Sequence, residues 1–373
     1  MKLANILHLG VKELRSLRRD PIMLVLILYA FTFSLYSSSK AMPETLRNTP
    51  IAIVDEDHSQ LSQRIIDAFY PPYFMPPTMI EQWEIDPRMN AGLDTFAVNI
   101  PPDFQRDVLA GRAPTVQLNV DATRMSQAFV GNAHVQAIIN GEVNSFLLRH
   151  RSGALPPVDL VIRARFNPEL NKSWFAAIMK LIDHVTMLSI VLTGAALLRE
   201  REHGTVEHLL VMPVTPSEIM TGKIWAMGLI VLTVTACSLL FVVQGLLKVA
   251  IEGSIALFLV GTALHLFATT SLGIFLGTLA RSMPQFGLML MLILLPLQIL
   301  SGGTTPRESM PEIVQIIMLA APNTHFVMLA QAILYRGAGI AVVWPQFTCL
   351  ALIGAILFAL SLGRFRKTLA GMA

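Results

Sequence analysis

Charge is what this chain has least of. Only 14% of its 373 residues are Asp, Glu, Lys or Arg, against 53% hydrophobic, and the mean hydropathy is +0.58. A soluble domain carries about 25% charged residues, so an ordinary soluble enzyme is excluded and a membrane protein is indicated. Cysteine is almost missing too. Cys237 and Cys349 both lie inside apolar runs, which excludes a disulfide framework and gives no signal of compartment. No HExxH, no nucleophile elbow and no G-x-x-x-x-G-K-[ST] loop occurs, so neither zinc hydrolysis nor the usual nucleotide cradle is expected. The net charge of +3 is too small to suggest nucleic acid. The 19 Met and 19 Phe suit lipid-facing and packing positions, and no copper site is read into them.

What is present falls into blocks. Residues 1–20 place Leu3, Ile6, Leu7, Val11, Leu14 and Leu17 at helical spacing, with Lys12, Arg15 and Arg19 on another face. That predicts an interfacial helix with its cationic side toward anionic headgroups. The competing interpretation, a basic signal-peptide region, calls for a shorter segment. Asp20-Pro21 caps and starts a first span over 21–39, long enough for a hydrocarbon core of about 30 Å. Residues 40–172 then turn polar, proline-rich and mixed. Strands are predicted at Pro50–Val54, Thr95–Ile100, Pro114–Val120 and Val158–Phe166, with a long helix from Met125 to Arg149. The stretch is long enough to bury its own core. Its acidic run Asp55-Glu56-Asp57 reads as a solvated strand end or as a cation site.

Residues 173–373 return to apolar runs, giving spans near 174–198, 224–247, 255–279, 286–300 and 342–362. In the first of these, Lys180, Asp183 and His184 share one side of a helix at i, i+3 and i+4. Ionisable groups at membrane depth are costly unless paired or facing water. They fit a polar wall of a substrate path, and equally an outer turn with the Lys180 stem snorkelling to the headgroups. His265 and Gln298 are further polar groups inside spans, His265 fitting a hydrogen-bonded packing residue or a pathway residue. No second ligand stands near it at metal spacing. Gly273 and Gly277 form a small-xxx-small face, suited to packing within the subunit or to dimerisation. Ser301 to Pro306 breaks the chain, and 302–340 is predicted to form an outer helical hairpin of segments too short to cross.

Between two of the spans lies the polar segment 199–223. Gly204 ends the preceding helix, Thr205 caps a short one with Glu207 in its first turn, and Pro213 stops it. Leu209 belongs to its apolar face. Thr215-Pro216-Ser217-Glu218 is a capping box with proline at the first helical position, flanked by the staple pair Val214 and Ile219.

The residues Glu200-Arg201-Glu202, Gly204-Thr205, Glu207, Leu209 and Pro213, followed by Glu218 and Gly222-Lys223, resemble the signature of the type-2 permease family of ATP-binding-cassette (ABC) exporters. The order of one span, a large domain and five more spans is similar to that family over nearly the whole chain. The resemblance implies a membrane all-α bundle of six transmembrane helices with an inserted extracytoplasmic (periplasmic) α/β domain. It implies that 199–223 is a coupling helix docking on an ABC ATPase subunit, with Glu200, Glu202, Gly204, Thr205, Glu207, Leu209 and Pro213 as the coupling residues. ATP and Mg would then sit on that partner and no cofactor on this chain. It further implies export of an amphiphilic, drug-like or lipid-like substrate, a second permease copy or paralogue, and contact with a periplasmic membrane-fusion adaptor. The Lys/Arg distribution puts 1–20, 199–223 and the C-terminus on the cytoplasmic side, and the resemblance implies that the membrane is a bacterial inner membrane. Two other functions compete: a membrane scaffold or sensor with a ligand-binding outer domain, and an intramembrane enzyme using Asp183, His184 and His265 as acid/base groups.

Overall fold

A computed structural model of the chain describes residues 2–41, 48–121, 125–150, 172–202, 214–305 and 307–370. Contacts divide it into two compact units, Met1–Met42 with Ala164–Ala373, and Pro43–Arg163. The first unit opens with α1 (Leu3–Arg18) and α2 (Pro21–Lys40). The second unit contains β1 (Ile51–Asp55), α3 (Gln60–Asp67), β2 (Thr78–Met79), α4 (Ile85–Asn90), β3 (Phe96–Ile100), α5 (Phe104–Leu109), β4 (Gln117–Val120) and α6 (Met125–His150). The chain returns to the first unit as α7 (Lys172–Glu202), α8 (Pro216–Leu246), α9 (Ile255–Leu279), α10 (Met283–Ile299), α11 (Glu312–Met318), α12 (Pro322–Tyr335) and α13 (Ile340–Ala370).

Within the second unit, strands run in the order β2-β1-β3-β4, parallel except for β3 with β4. Alternation along β1 sends Ile51 and Ile53 to one apolar cluster, with α3, α5 and α6, and Ala52 and Val54 to another, with Ile85 and Ala97. Both faces are therefore covered, as parallel pairing requires. The two-residue β2 was not expected, because prolines 76 and 77 conceal it. β4 starts three residues later than predicted. The strand expected at 158–166 lies outside the described residues. Asp55, at the end of β1, accepts hydrogen bonds from Asp57 N, His58 N and Ser62 Oγ, and Asp57 accepts from Gln105 N. These carboxylates hold turns and helix starts.

Among the described residues of the helical unit, five helices are long and apolar enough to cross a membrane, α2, α7, α8, α9 and α13, and the total is six if one bent helix pair is counted. The expected six spans therefore stand at five to six, with one of them placed differently. The span predicted near 286–300 is α10, whose 17 residues reach only about 25 Å. Pro296 lies inside it, and Gly302, at φ +93°, turns the chain just beyond it. α11 and α12 meet at 91°, and the count reaches six only if that bent pair is taken as one span.

α7 is the central helix, with 83% of its apolar window buried, whereas α13 buries 17% and lies at the periphery. α9 crosses α7 so closely that a Cβ on Gly273 would stand 2.6 Å from Ile190 O, and one on Gly277 3.1 Å from Gly194 O. The small-residue face is thus used inside the subunit. Beside the break at Ser301, Thr186 Oγ1 lies 2.9 Å from His265 Nε2 and 2.7 Å from Asn323 Oδ1, and Asn323 Nδ2 donates to Leu297 O. These side-chain contacts tie α7, α9, α10 and α12. A π-helical turn at Ala30–Ser34 interrupts α2, and Ser238 Oγ donates to Phe31 O there.

Candidate functional site

The site is built where α7 ends and α8 begins, on either side of residues 203–213. α8 starts as its sequence dictates. Thr215 accepts from Glu218 N, Glu218 returns a bond to Thr215 N, and proline occupies the first turn. Glu218 is buried and also accepts from Lys2 N and Asn5 Nδ2, so one carboxylate caps α8 and holds the start of α1.

α1 lies along α8 through a stripe of Ile6, Gly10, Glu13 and Leu17. At Gly10 a Cβ would meet the Trp225 ring at 2.1 Å, and at Gly222 it would meet Leu9 Cβ at 2.9 Å. Trp225 Nε1 donates to Ile6 O at 3.1 Å. The close approach brings Lys223, 2% exposed, into a pair of carboxylates: its ammonium is 2.7 Å from Glu13 Oε1 and 2.7 Å from Glu200 Oε2. Glu200 also accepts from Lys12 Nζ at 2.6 Å. Two acids and two lysines from α1, α7 and α8 therefore form a charge-balanced cluster, the condition under which buried ions are tolerated.

Three further contacts complete this foot. Asp20 caps α2 by accepting from Met23 N at 3.1 Å and pairs with Arg199 at 2.6 Å. The Met23 N–H and then the Arg199 guanidinium hold its carboxyl below the usual carboxylate range. Arg201 donates to Gly277 O and Ala280 O at the C-terminal end of α9. Glu202 accepts from Met283 N at the start of α10. A cation thus meets the negative end of one helix and an anion the positive end of the next.

Of the residues expected to couple to a partner, Glu200 and Glu202 are both engaged within the chain. Gly204, Thr205, Glu207, Leu209 and Pro213 lie outside the described residues. The sequence reading missed Glu13, Lys12, Trp225 and the Asp20–Arg199 pair. The available signal was an acid at position 13 in register with Ile6, Gly10 and Leu17.

The other expected site residues do not converge. Lys180 and Asp183 pair at 3.4 Å, while His184 turns toward α2, with Nε2 3.3 Å from Ser34 Oγ. His265 is fully buried and stacks on Phe326 with ring centroids 4.1 Å apart. Gln298 is half-buried near the end of α10. This separation leaves no nucleophile and base facing each other among these residues, as acid/base catalysis would require.

Comparison with known proteins bears on this architecture. A family model described as ABC-2 family transporter protein matches residues 21–362. The chain is 63% identical over 371 residues to the inner membrane transport permease YhhJ of Escherichia coli K12, covering 100% of this chain and 99% of the relative. It is 26% identical over 361 residues to the probable multidrug ABC transporter permease YbhR of the same organism, covering 95% and 96%. To the probable multidrug ABC transporter permease YbhS it is 26% identical over 348 residues, covering 88% of each.

Proposed function

Because this chain belongs to the ABC-2 family of transporter proteins, we propose that it is the permease subunit of an ABC exporter, driven by a separate ATPase that docks on residues 199–223. The general role, a multi-pass inner-membrane transport permease, follows from the family and from the apolar helices. The finer statements are ours. The observation that carries them is the ion cluster Lys12, Glu13, Glu200 and Lys223, which joins α1 to both helices flanking the docking segment.

A force applied at 203–213 would reach two spans at once. α8 continues from its cap at Thr215 into its span without a break, and α7 runs as one helix from 172 to 202. A rigid tilt of this pair is the kind of motion that alternates access between two sides. On this reading Gly204, Thr205, Glu207, Leu209 and Pro213 meet the ATPase, which holds ATP and Mg. Glu200 and Glu202 transmit through the foot. Both termini are cytoplasmic, the Pro43–Arg163 unit lies outside the cytoplasm and is placed to meet a periplasmic adaptor, and two permease copies, or one with a paralogue, complete the pathway. Two relatives are named probable multidrug transporter permeases, which supports drug-like cargo; we take that cargo to be amphiphilic, with Lys180, Asp183, His184, His265 and Gln298 as the candidate polar groups of its path.

Copurification with the ATPase, and hydrolysis stimulated by added amphiphiles in the reconstituted complex, tests the assignment. Leu209→Ala should uncouple that stimulation while leaving the chain folded. Orientation is tested separately in intact cells, using a background with Cys237 and Cys349 replaced by serine. An impermeant thiol reagent should label Gln60→Cys and spare Arg15→Cys. The opposite pattern ends the proposal.

A further inference from the structure

A cavity of about 720 Å³ opens at the end of the bundle away from the foot, beneath the turn that follows α10. Its lining includes the apolar side chains of Val327, Met328 and Val342 and the polar side chains of Arg307, Arg336 and Gln346. Among the described residues neither arginine has a carboxylate partner. Arg307 reaches only Met328 Sδ, at 3.3 Å, and its buried Nε has no hydrogen-bond partner, as is true of Gln346 Oε1. Leaving a buried guanidinium N–H unmatched is costly. The local backbone sets this arrangement up, since a Cβ on Gly302 would press on Arg307 Cγ at 3.0 Å.

We propose that this cavity binds the phosphate headgroup of an anionic amphiphile, with Arg307 and Arg336 on its oxyanion and an acyl chain along the apolar side chains. Guanidinium forks match phosphate oxygens in pairs. The apolar lining gives the ligand a tail, which a free ion lacks. Occupancy does not depend on an ATPase or on transport.

The test uses the full-length chain in an uncharged detergent, titrated with tail-labelled phosphatidylglycerol, with phosphatidylcholine of the same chains, and with inorganic phosphate as competitor. Phosphatidylcholine carries the same phosphate oxyanion, but its choline cation would be repelled by the two arginines, so phosphatidylglycerol should bind at least about tenfold more tightly. That preference should shrink as salt is raised from about 0.05 to about 0.5 M, which shortens the screening length from about 14 to about 4 Å. The Arg307→Gln/Arg336→Gln double variant should lose it, while Arg281→Gln, at the opposite end of α10, should keep it. Equal binding of the two lipids, a preference indifferent to salt, or a folded double variant that binds as the parent does would each overturn the proposal. So would inorganic phosphate displacing the lipid at equal concentration, since the site would then take a free ion. The salt titration uses the unaltered chain and decides even if the double variant does not fold.

Discussion

Replacing Lys223 by methionine removes the ammonium that Glu13 and Glu200 share and keeps most of the volume of its stem. Glu13 is then a buried carboxylate, 6% exposed, without that counter-charge. Glu200 retains Lys12, whose side chain is 48% exposed. Breaking a buried ion pair from one side costs about 3–5 kcal/mol, whereas a half-exposed pair such as Lys12 with Glu200 is worth about 0–1 kcal/mol. Lys223→Met should therefore be strongly destabilised and Lys12→Met hardly changed. The decisive variant is Lys223→Met/Glu13→Gln. It deletes the stranded carboxylate together with its partner and leaves the Glu200–Lys12 pair, so it should be more stable than Lys223→Met alone. The non-additivity expected for contacting residues is about 1–3 kcal/mol. Unfolding of the purified chain by SDS titration in mixed micelles at neutral pH reads the parent, Lys12→Met, Lys223→Met, Glu13→Gln and the double variant on one scale. A Lys223→Met protein as stable as its parent, or a double variant whose loss equals the sum of the two single losses, would refute the claim that this cluster holds the foot together.

Asp20 separates a cap from an ion pair: Asp20→Ala should lose about 1 kcal/mol of helix capping, while Asp20→Asn keeps the cap and loses only the bond to Arg199. Because the folded carboxyl is held below its ordinary value, its stabilisation is complete above about pH 4 and is lost as pH falls through the depressed folded value; a parent-to-Asn difference that already shrinks between pH 7 and 5 contradicts the assignment. Gly273→Val places a branched side chain where Ile190 O stands 2.6 Å from a single Cβ, and should cost about 1–3 kcal/mol or more in the same SDS titration, with no change in the oligomer seen by light scattering. Arg201→Gln removes the cation from the C-terminal end of α9; proteolysis in the 280–283 turn should accelerate, and unchanged cleavage there argues against a role for Arg201 in closing that turn.

The features legible in the sequence were the local ones. The box Thr215-Pro216-Ser217-Glu218 fixed the start of α8 because capping is decided within four residues, and the break beginning at Ser301 marked where α10 stops. The apolar runs marked six spans, five of which are helices of full crossing length. What could not be read was tertiary. Glu13 gave no local signal, because its partner Lys223 is 210 residues away. Lys223 passed as part of a motif, although Gly222 beside it is what lets α1 come close enough to bury it. α10 was taken for a full span because hydropathy does not report where a turn with φ +93° takes the chain away. His184 and Asp183, adjacent in sequence, were grouped on one face, yet neighbours on a helix diverge by about 100°, and the structure gives them different partners.

The surroundings of the cations bear on the cavity beneath the turn after α10. At the foot, Lys223, Arg199 and Arg201 each have a carboxylate or a helix-end carbonyl within 3.1 Å, and in α7 Lys180 has Asp183. Farther into the bundle the polar contacts are made by threonine, serine, asparagine and a stacked histidine, which need no counter-charge. Arg307 and Arg336 line a cavity instead, and no acid among the described residues pairs with either. Arg336 is exposed and costs little to keep there, but the buried Nε of Arg307 has no hydrogen-bond partner, and methionine or leucine would fill that space without desolvating a cation. The unmatched charge is better explained by an anion supplied from outside the chain, and at that end of the bundle the anions at hand include lipid headgroups.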